Sequence, residues 1–98
     1  MIATAPTQEQ VDQIALALGP DVVRIRVQPG YDWSDRPANY FRITLSDEAS
    51  GMGRLGDVVA RVREKLSESL GLWESNRIPY FRFRSQSEQA KMRETAWE

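Results

Sequence analysis

Large apolar residues and arginine alternate in three separate segments of the chain, at residues 23–27, 41–45 and 81–84. Successive side chains of a β-strand point to opposite faces of a sheet, so this period of two predicts three strands with one apolar face each. The same alternation would bring five arginines together on the other face: Arg24, Arg26, Arg42, Arg82 and Arg84. No acidic residue lies inside these segments, and neighbouring guanidinium groups repel one another. Something negative is therefore expected to lie over them.

Two further segments have the period of an amphipathic helix. Thr7 and Gln10 form a capping-box pattern ahead of a first helix at about residues 8–18, and Gly19 with Pro20 ends it. The second helix runs to Leu70, with Gly71 as its C-terminal cap and Ser50 as a candidate N-cap. Its predicted buried stripe is Leu55, Val58, Val59, Val62, Leu66 and Leu70.

The strands are separated by connections of different length. The first strand is predicted at residues 21–28, and Pro29-Gly30 opens a long connection to about Asn39 that carries Tyr31 and Trp33. The third strand is predicted at residues 78–85, where an early proline indicates a sheet edge or a strand beginning.

The order helix, strand, strand, helix, strand predicts an α+β fold, a two-layer sandwich with a three-stranded sheet and both helices on one face. Its core would hold Val23, Ile25, Val27, Phe41, Ile43, Leu45, Phe81 and Phe83. The arginine face would stay open. Residues 1–98 form one predicted domain, of which 86–98 is a polar C-terminal tail that either its own domain or a neighbouring molecule would have to hold.

The amino-acid composition excludes several kinds of functional site. The chain of 98 residues contains no cysteine and no histidine, so thiol nucleophiles, disulfides, cysteine zinc sites and the usual proton-transfer side chain are excluded. Its formal net charge is -1, so any positively charged binding surface must be confined to one part of the molecule. No apolar run reaches the ~20 residues of a membrane span and no signal-peptide pattern opens the chain, which predicts a cytoplasmic protein.

Three candidate ligand motifs are weak. Residues 51–56 match the dinucleotide pattern G-x-G-x-x-G, but five residues separate them from the preceding strand. The last four of them resemble the G-x-x-G loop of KH domains without the helix that should precede it. The carboxylates that could in principle hold magnesium are Asp32, Asp35, Asp47 and Glu48, yet such positions are typical of turns and helix starts. We expect no cofactor, no metal and no enzyme activity.

The remaining hypothesis is a binding surface. Arginine and tyrosine are favoured at protein interfaces, so a partner protein or a second copy of the chain would explain the arginine face. A small RNA or single-stranded nucleic acid, with Tyr40 and Tyr80 as stacking platforms, is the alternative. The candidate binding residues are Arg24, Arg26, Arg42, Arg82, Arg84, Tyr40, Tyr80, Tyr31, Trp33 and Trp97.

Residues 40–48 and 79–88 resemble segments of small, largely uncharacterised bacterial proteins that are associated with genes for HEPN-domain proteins. That arrangement is typical of toxin–antitoxin or defence pairs. The resemblance covers the chain from the second strand onward and implies no catalytic residue. It implies a helical HEPN partner, commonly a ribonuclease, with this chain as its antitoxin-like regulator or accessory subunit.

Overall fold

The structure, a computed structural model, describes residues 5–98; residues 1–4 of the predicted domain lie outside the described part. Its helices and strands follow one another as α1 (Gln8–Ala17), β1 (Val22–Tyr31), β2 (Pro37–Leu45), α2 (Leu55–Leu70), β3 (Ile78–Ser85) and α3 (Gln86–Met92). Short 3₁₀ turns cover Leu72–Glu74 and Thr95–Trp97. No helix among residues 5–98 is long and apolar enough to cross a membrane.

The predicted α+β architecture and the order α-β-β-α-β are confirmed. The sheet has the order β1-β2-β3, with β1 antiparallel and β3 parallel to the central strand β2. A parallel neighbour requires a crossover connection, which α2 supplies. β3 lies at the sheet edge, as the proline at position 79 indicated.

Each of the two long helices carries one of the caps that its sequence predicts. The Thr7 hydroxyl accepts from the N–H of Gln10 while the Gln10 side chain accepts from the N–H of Thr7. Gly71 ends α2 in the left-handed conformation, with φ of 60°, which glycine adopts at little cost. Ser50 is not the N-cap of α2; its hydroxyl donates to the carbonyl of Ser46.

The core lies between the sheet and the α1 and α2 helices. Its buried members are Val11, Ile14, Ala15 and Leu18 from the α1 region, Val58, Val62 and Leu66 from α2, Val22, Ile25, Phe41, Ile43 and Leu45 from the sheet, and Ala49 and Leu72 from the connections. Val27, Phe81 and Phe83 are partly buried against it. Both helices therefore cover one face of the sheet, as predicted.

The prediction that Val23 lies in the core is wrong. A bulge between Val22 and Arg24 shifts the register, so that Val22 opposes Leu45 and Arg24 opposes Thr44. Val22 is 5% exposed and Val23 is 39% exposed. The extra residue of a bulge restores the alternation beyond it, so the arginine positions are unaffected.

This bulge leads to a paired prediction. Replacing Val22 by alanine should lower the free energy of unfolding by about 2 kcal/mol, because a buried side chain is truncated. The same change at Val23 should cost less than about 1 kcal/mol. Chemical denaturation of both variants measures the difference, and equal losses would contradict the observed register.

The connection between β1 and β2 is much shorter than predicted. Instead of running from residue 29 to residue 39, it spans residues 32–36, and Pro29 and Gly30 continue β1. A Cβ at Gly30 would lie 3.5 Å from the Tyr40 ring, which is ordinary van der Waals contact, so this position is compatible with a strand. Proline is tolerated because β1 is an edge strand.

Candidate functional site

The five arginines lie in two cross-strand rows, with a row of tyrosines beside them. Register places Arg24, Thr44 and Arg84 in the first row and Arg26, Arg42 and Arg82 in the second. In the third row Gln28, Tyr40 and Tyr80 are neighbours. These three rows have the same strand parity and together form what we call the arginine face.

The C-terminal segment covers the first row. Arg84 donates to the Gln89 Oε1 atom at 2.8 Å and to the Glu94 carboxylate at 2.9 Å, and its guanidinium lies 4.1 Å from the centre of the Trp97 ring. Arg24 donates to the Glu98 carboxylate at 3.3 Å. Trp97 is 4% exposed, so it packs within its own chain.

The expectation that the whole arginine face stays open is therefore wrong. Part of the negative charge that the arginines require comes from the chain itself, through Glu94 and Glu98. The segment is held by Gln89, which is 4% exposed and donates to the Glu94 carbonyl and the Glu98 carboxylate. Contacts within its own chain therefore hold the tail.

Sequence reasoning missed α3 and with it the role of Gln89. The signal was present, because Ser85 and Glu88 form a second capping box at the start of α3. Ser87 adds a further anchor by donating its N–H to the Asp47 carboxylate at 2.9 Å. The Ser87 hydroxyl also donates to this carboxylate, and the two hydrogen bonds from Ser87 lower the pKa of the Asp47 carboxyl below its ordinary value.

The three arginines of the second row differ in whether an acidic side chain lies near them. Arg26 lies 3.8 Å from the Asp12 carboxylate and donates its Nε to the Glu98 carbonyl. Arg42 donates to the Gln28 amide oxygen at 2.8 Å, which is a neutral partner. Arg82 is exposed. Among residues 5–98, Arg42 and Arg82 have no ion pair, and we call these two residues the open arginine patch.

The two tyrosines of the third row stack on each other. Their ring centroids are 5.3 Å apart with an interplanar angle of 15°. One face of each tyrosine ring is therefore occupied by the other ring. The tyrosine hydroxyls also have partners, because Tyr40 donates to the Tyr31 carbonyl at 2.8 Å and Tyr80 to the Asp32 carboxylate at 3.1 Å.

Asp32 organises the hairpin tip, residues 31–36. Its buried carboxylate accepts from the Ser34 N–H and hydroxyl and from the Arg36 N–H and Nε. Burial alone would raise the pKa of the Asp32 carboxyl, but these hydrogen bonds and that of Tyr80 outweigh it and hold the pKa far below its ordinary value. Burial and the Asp32 carboxylate raise the pKa of Tyr80.

The hairpin tip leaves two aromatic side chains at the surface. Trp33 is 90% exposed and Tyr31 is 68% exposed. Tyr80 and Tyr40 of the arginine face hold the tip by hydrogen bonds, so Trp33 lies beyond the tyrosine row. Tyr31 ends β1 with the strand parity of Val27, which is the parity opposite to that of the arginines. The structure thus places Arg42 and Arg82 in the row next to Tyr40 and Tyr80, and the hairpin tip with its exposed Trp33 follows beyond Tyr80.

The weak ligand motifs have structural roles. Arg54 precedes α2 and donates to the Asp21 carboxylate at 2.8 Å, which lowers the pKa of Asp21. Arg61 donates to the same carboxylate, and Glu48 pairs with Arg54 at 3.3 Å. Within the described range 5–98, no three acidic side chains gather in a cluster that could hold a metal ion.

Comparisons of the chain with protein-family models, with curated proteins and with solved structures found no match. The candidate function therefore depends on the geometry of the arginine face.

Proposed function

We infer that this protein is a cytoplasmic, non-catalytic binding module whose open arginine patch and hairpin tip hold a partner protein. The observation that carries this inference is the incomplete neutralisation of the arginine face. The C-terminal segment supplies carboxylates to Arg24 and Arg84, yet Arg42 and Arg82 lie side by side on neighbouring strands with no acidic partner among residues 5–98. Neighbouring like charges are destabilising unless a ligand compensates them.

The aromatic surroundings favour a protein partner. Tryptophan, tyrosine and arginine are the side chains that most often anchor protein interfaces, and Trp33 of the hairpin tip and Arg82 of the open arginine patch are exposed. A nucleic acid would need free ring faces for its bases, but Tyr40 and Tyr80 stack on each other, which occupies one face of each ring. The resemblance to proteins encoded beside HEPN-domain proteins supports an antitoxin-like or accessory role, with a helical HEPN protein as partner.

Removal of the open arginine patch tests this function. We expect the amount of partner that co-purifies with the double variant Arg42→Gln and Arg82→Gln to fall at least about tenfold below that of the parent chain. The reason is that the loss of buried charge contacts at an interface weakens binding strongly. The untagged chain and its variants are purified from the native cell at low salt, and the accompanying proteins are identified and quantified by mass spectrometry.

The matched control is the double variant Lys65→Gln and Lys91→Gln, which removes the same charge from exposed positions on α2 and α3. It should retain the partner. Equal retention by both double variants would exclude the open arginine patch as the binding surface. An oligonucleotide in the preparation, detected by its ultraviolet absorbance and released as salt rises, would instead support the nucleic-acid alternative.

A further inference from the structure

The outer edge of β3 carries backbone groups without a partner strand. β3 pairs with β2 on one side, Pro79 has no N–H, and the N–H of Ser85 donates to the Glu88 carboxylate at 3.1 Å. Backbone groups alternate in direction along a strand, so the N–H and C=O groups of Phe81 and Phe83 share this outward direction. Among residues 5–98, no side chain donates to or accepts from these groups.

The opposite edge of the sheet is blocked near its centre by a side chain. The Gln8 side chain on α1 accepts from the N–H of Val27 at 3.1 Å and donates to the carbonyl of Ile25 at 2.7 Å. The Gln8 side chain thus takes up the hydrogen bonds of β1 that a further strand would need at this point. Proteins commonly block their sheet edges in such ways, which makes the open stretch of β3 a distinctive feature.

A groove of about 440 Å³ runs beside this open edge, between β3 and α2. Its apolar wall is formed by Leu72, Trp73, Pro79 and Phe81, and Arg63 and Glu64 of α2 lie at its other side. Trp73 is 84% exposed although it is large and apolar. The edge therefore offers an apolar groove on the helix face and the exposed Arg82 on the arginine face.

We propose that an extended segment of the partner protein, alternating apolar and acidic residues, adds to the sheet as a fourth strand at β3. Its backbone pairs with Phe81 and Phe83, its apolar side chains enter the groove beside Trp73, and its carboxylates face Arg82. This strand addition rests on the proposed function, because it assigns the partner that the open arginine patch holds. Main-chain hydrogen bonds give such complexes affinity, and alternate side chains give them specificity.

Charge complementarity selects this occupant over a second copy of the chain. In a two-fold antiparallel pairing of β3 with itself, the arginine faces would be continuous, so Arg82 and Arg84 of both copies would lie on one surface. Arg82 already neighbours Arg42, which itself neighbours Arg26. An acidic strand reduces this repulsion, whereas a second copy increases it.

The test uses the complete chain and synthetic peptides of about ten residues that alternate valine and glutamate. Nuclear magnetic resonance should show peptide-dependent shifts and slower hydrogen exchange at the amides of Phe81 and Phe83. Two methylated peptides are the key comparison, one with the valine amides N-methylated and one with the glutamate amides N-methylated. We expect one of them to lose binding and the other to retain it, because successive amides of a strand point to opposite sides.

Variants test the groove and the charge independently. Trp73→Ala should weaken peptide binding about fivefold, while Met52→Ala, which truncates another fully exposed apolar side chain, should leave it unchanged. A peptide with lysine in place of glutamate should bind at least about tenfold more weakly. Equal binding of both methylated peptides, or shifts that avoid β3, would overturn the strand addition.

The two proposals can fail separately. If Arg42→Gln with Arg82→Gln releases the native partner but the peptides do not bind at β3, the binding function stands and the strand addition is wrong. If the peptides bind at β3 while that double variant retains its partner, the open arginine patch is not the partner's site.

Discussion

Replacing Trp97 by alanine is expected to lower the free energy of unfolding by about 3 kcal/mol, the usual cost of truncating a buried tryptophan. Trp97 is 4% exposed and its ring lies 4.1 Å from the Arg84 guanidinium. The substitution removes the packing of the C-terminal segment against the sheet and the cation–π contact together. Chemical denaturation of the complete chain measures the loss.

The chain contains its own controls for this substitution. Trp33 and Trp73 are 90% and 84% exposed, so their replacement by alanine should change the free energy of unfolding by no more than about 0.5 kcal/mol. If all three variants lost the same stability, the C-terminal segment would not cover the first arginine row. A loss confined to Trp97 would support the observed packing.

The second large effect is expected at Asp32. Replacing it by asparagine should lower the midpoint of thermal unfolding and speed hydrogen exchange at the amides of Ser34 and Arg36, which donate to this carboxylate. Tyr80 and the Arg36 guanidinium lose an anionic acceptor at the same time. Asp35→Asn is the matched control, because Asp35 is exposed and asparagine tolerates its φ of 61°.

The pH dependence of this variant follows from the direction of the pKa shift. The pKa of Asp32 lies below its ordinary value of 3.8 in the folded protein, so the ionised carboxylate stabilises the fold above that pH. This contribution is lost as the pH falls. The stability difference between the parent and Asp32→Asn should therefore be largest near neutral pH and shrink below about pH 4. A constant difference across that range would contradict the assignment.

Much of the fold could be predicted because its signals are local. The alternation of apolar and arginine residues identifies all three strands, and capping residues such as Thr7 and Gly71 mark helix ends. These features depend on residues within a few positions of one another. The bulge at Val22 could not be read in this way, because both valines suit either face and the register depends on pairing with Leu45.

The candidate site was predicted less completely, because it depends on contacts between residues that are distant in the sequence. The sequence places five arginines on one face, but which of them are neutralised depends on residues far along the chain. Arg24 and Glu98, which form one of these ion pairs, are 74 residues apart. The buried Gln89 that holds the C-terminal segment lies in a polar stretch that resembles a solvent-exposed tail.

The distinction between neutralised and open arginines is the central claim, and thermal unfolding of two double variants tests it most directly. Arg24→Gln with Arg84→Gln removes two charges that bind Glu98 and Glu94, whereas Arg42→Gln with Arg82→Gln removes two charges with no ion pair among residues 5–98. We expect the first double variant to unfold at a lower temperature than the parent. The second should unfold at the same temperature or a higher one, because repulsion within the row is relieved. A loss of stability in the second variant as large as in the first would show that Arg42 and Arg82 are structural, and would contradict a binding surface at these residues.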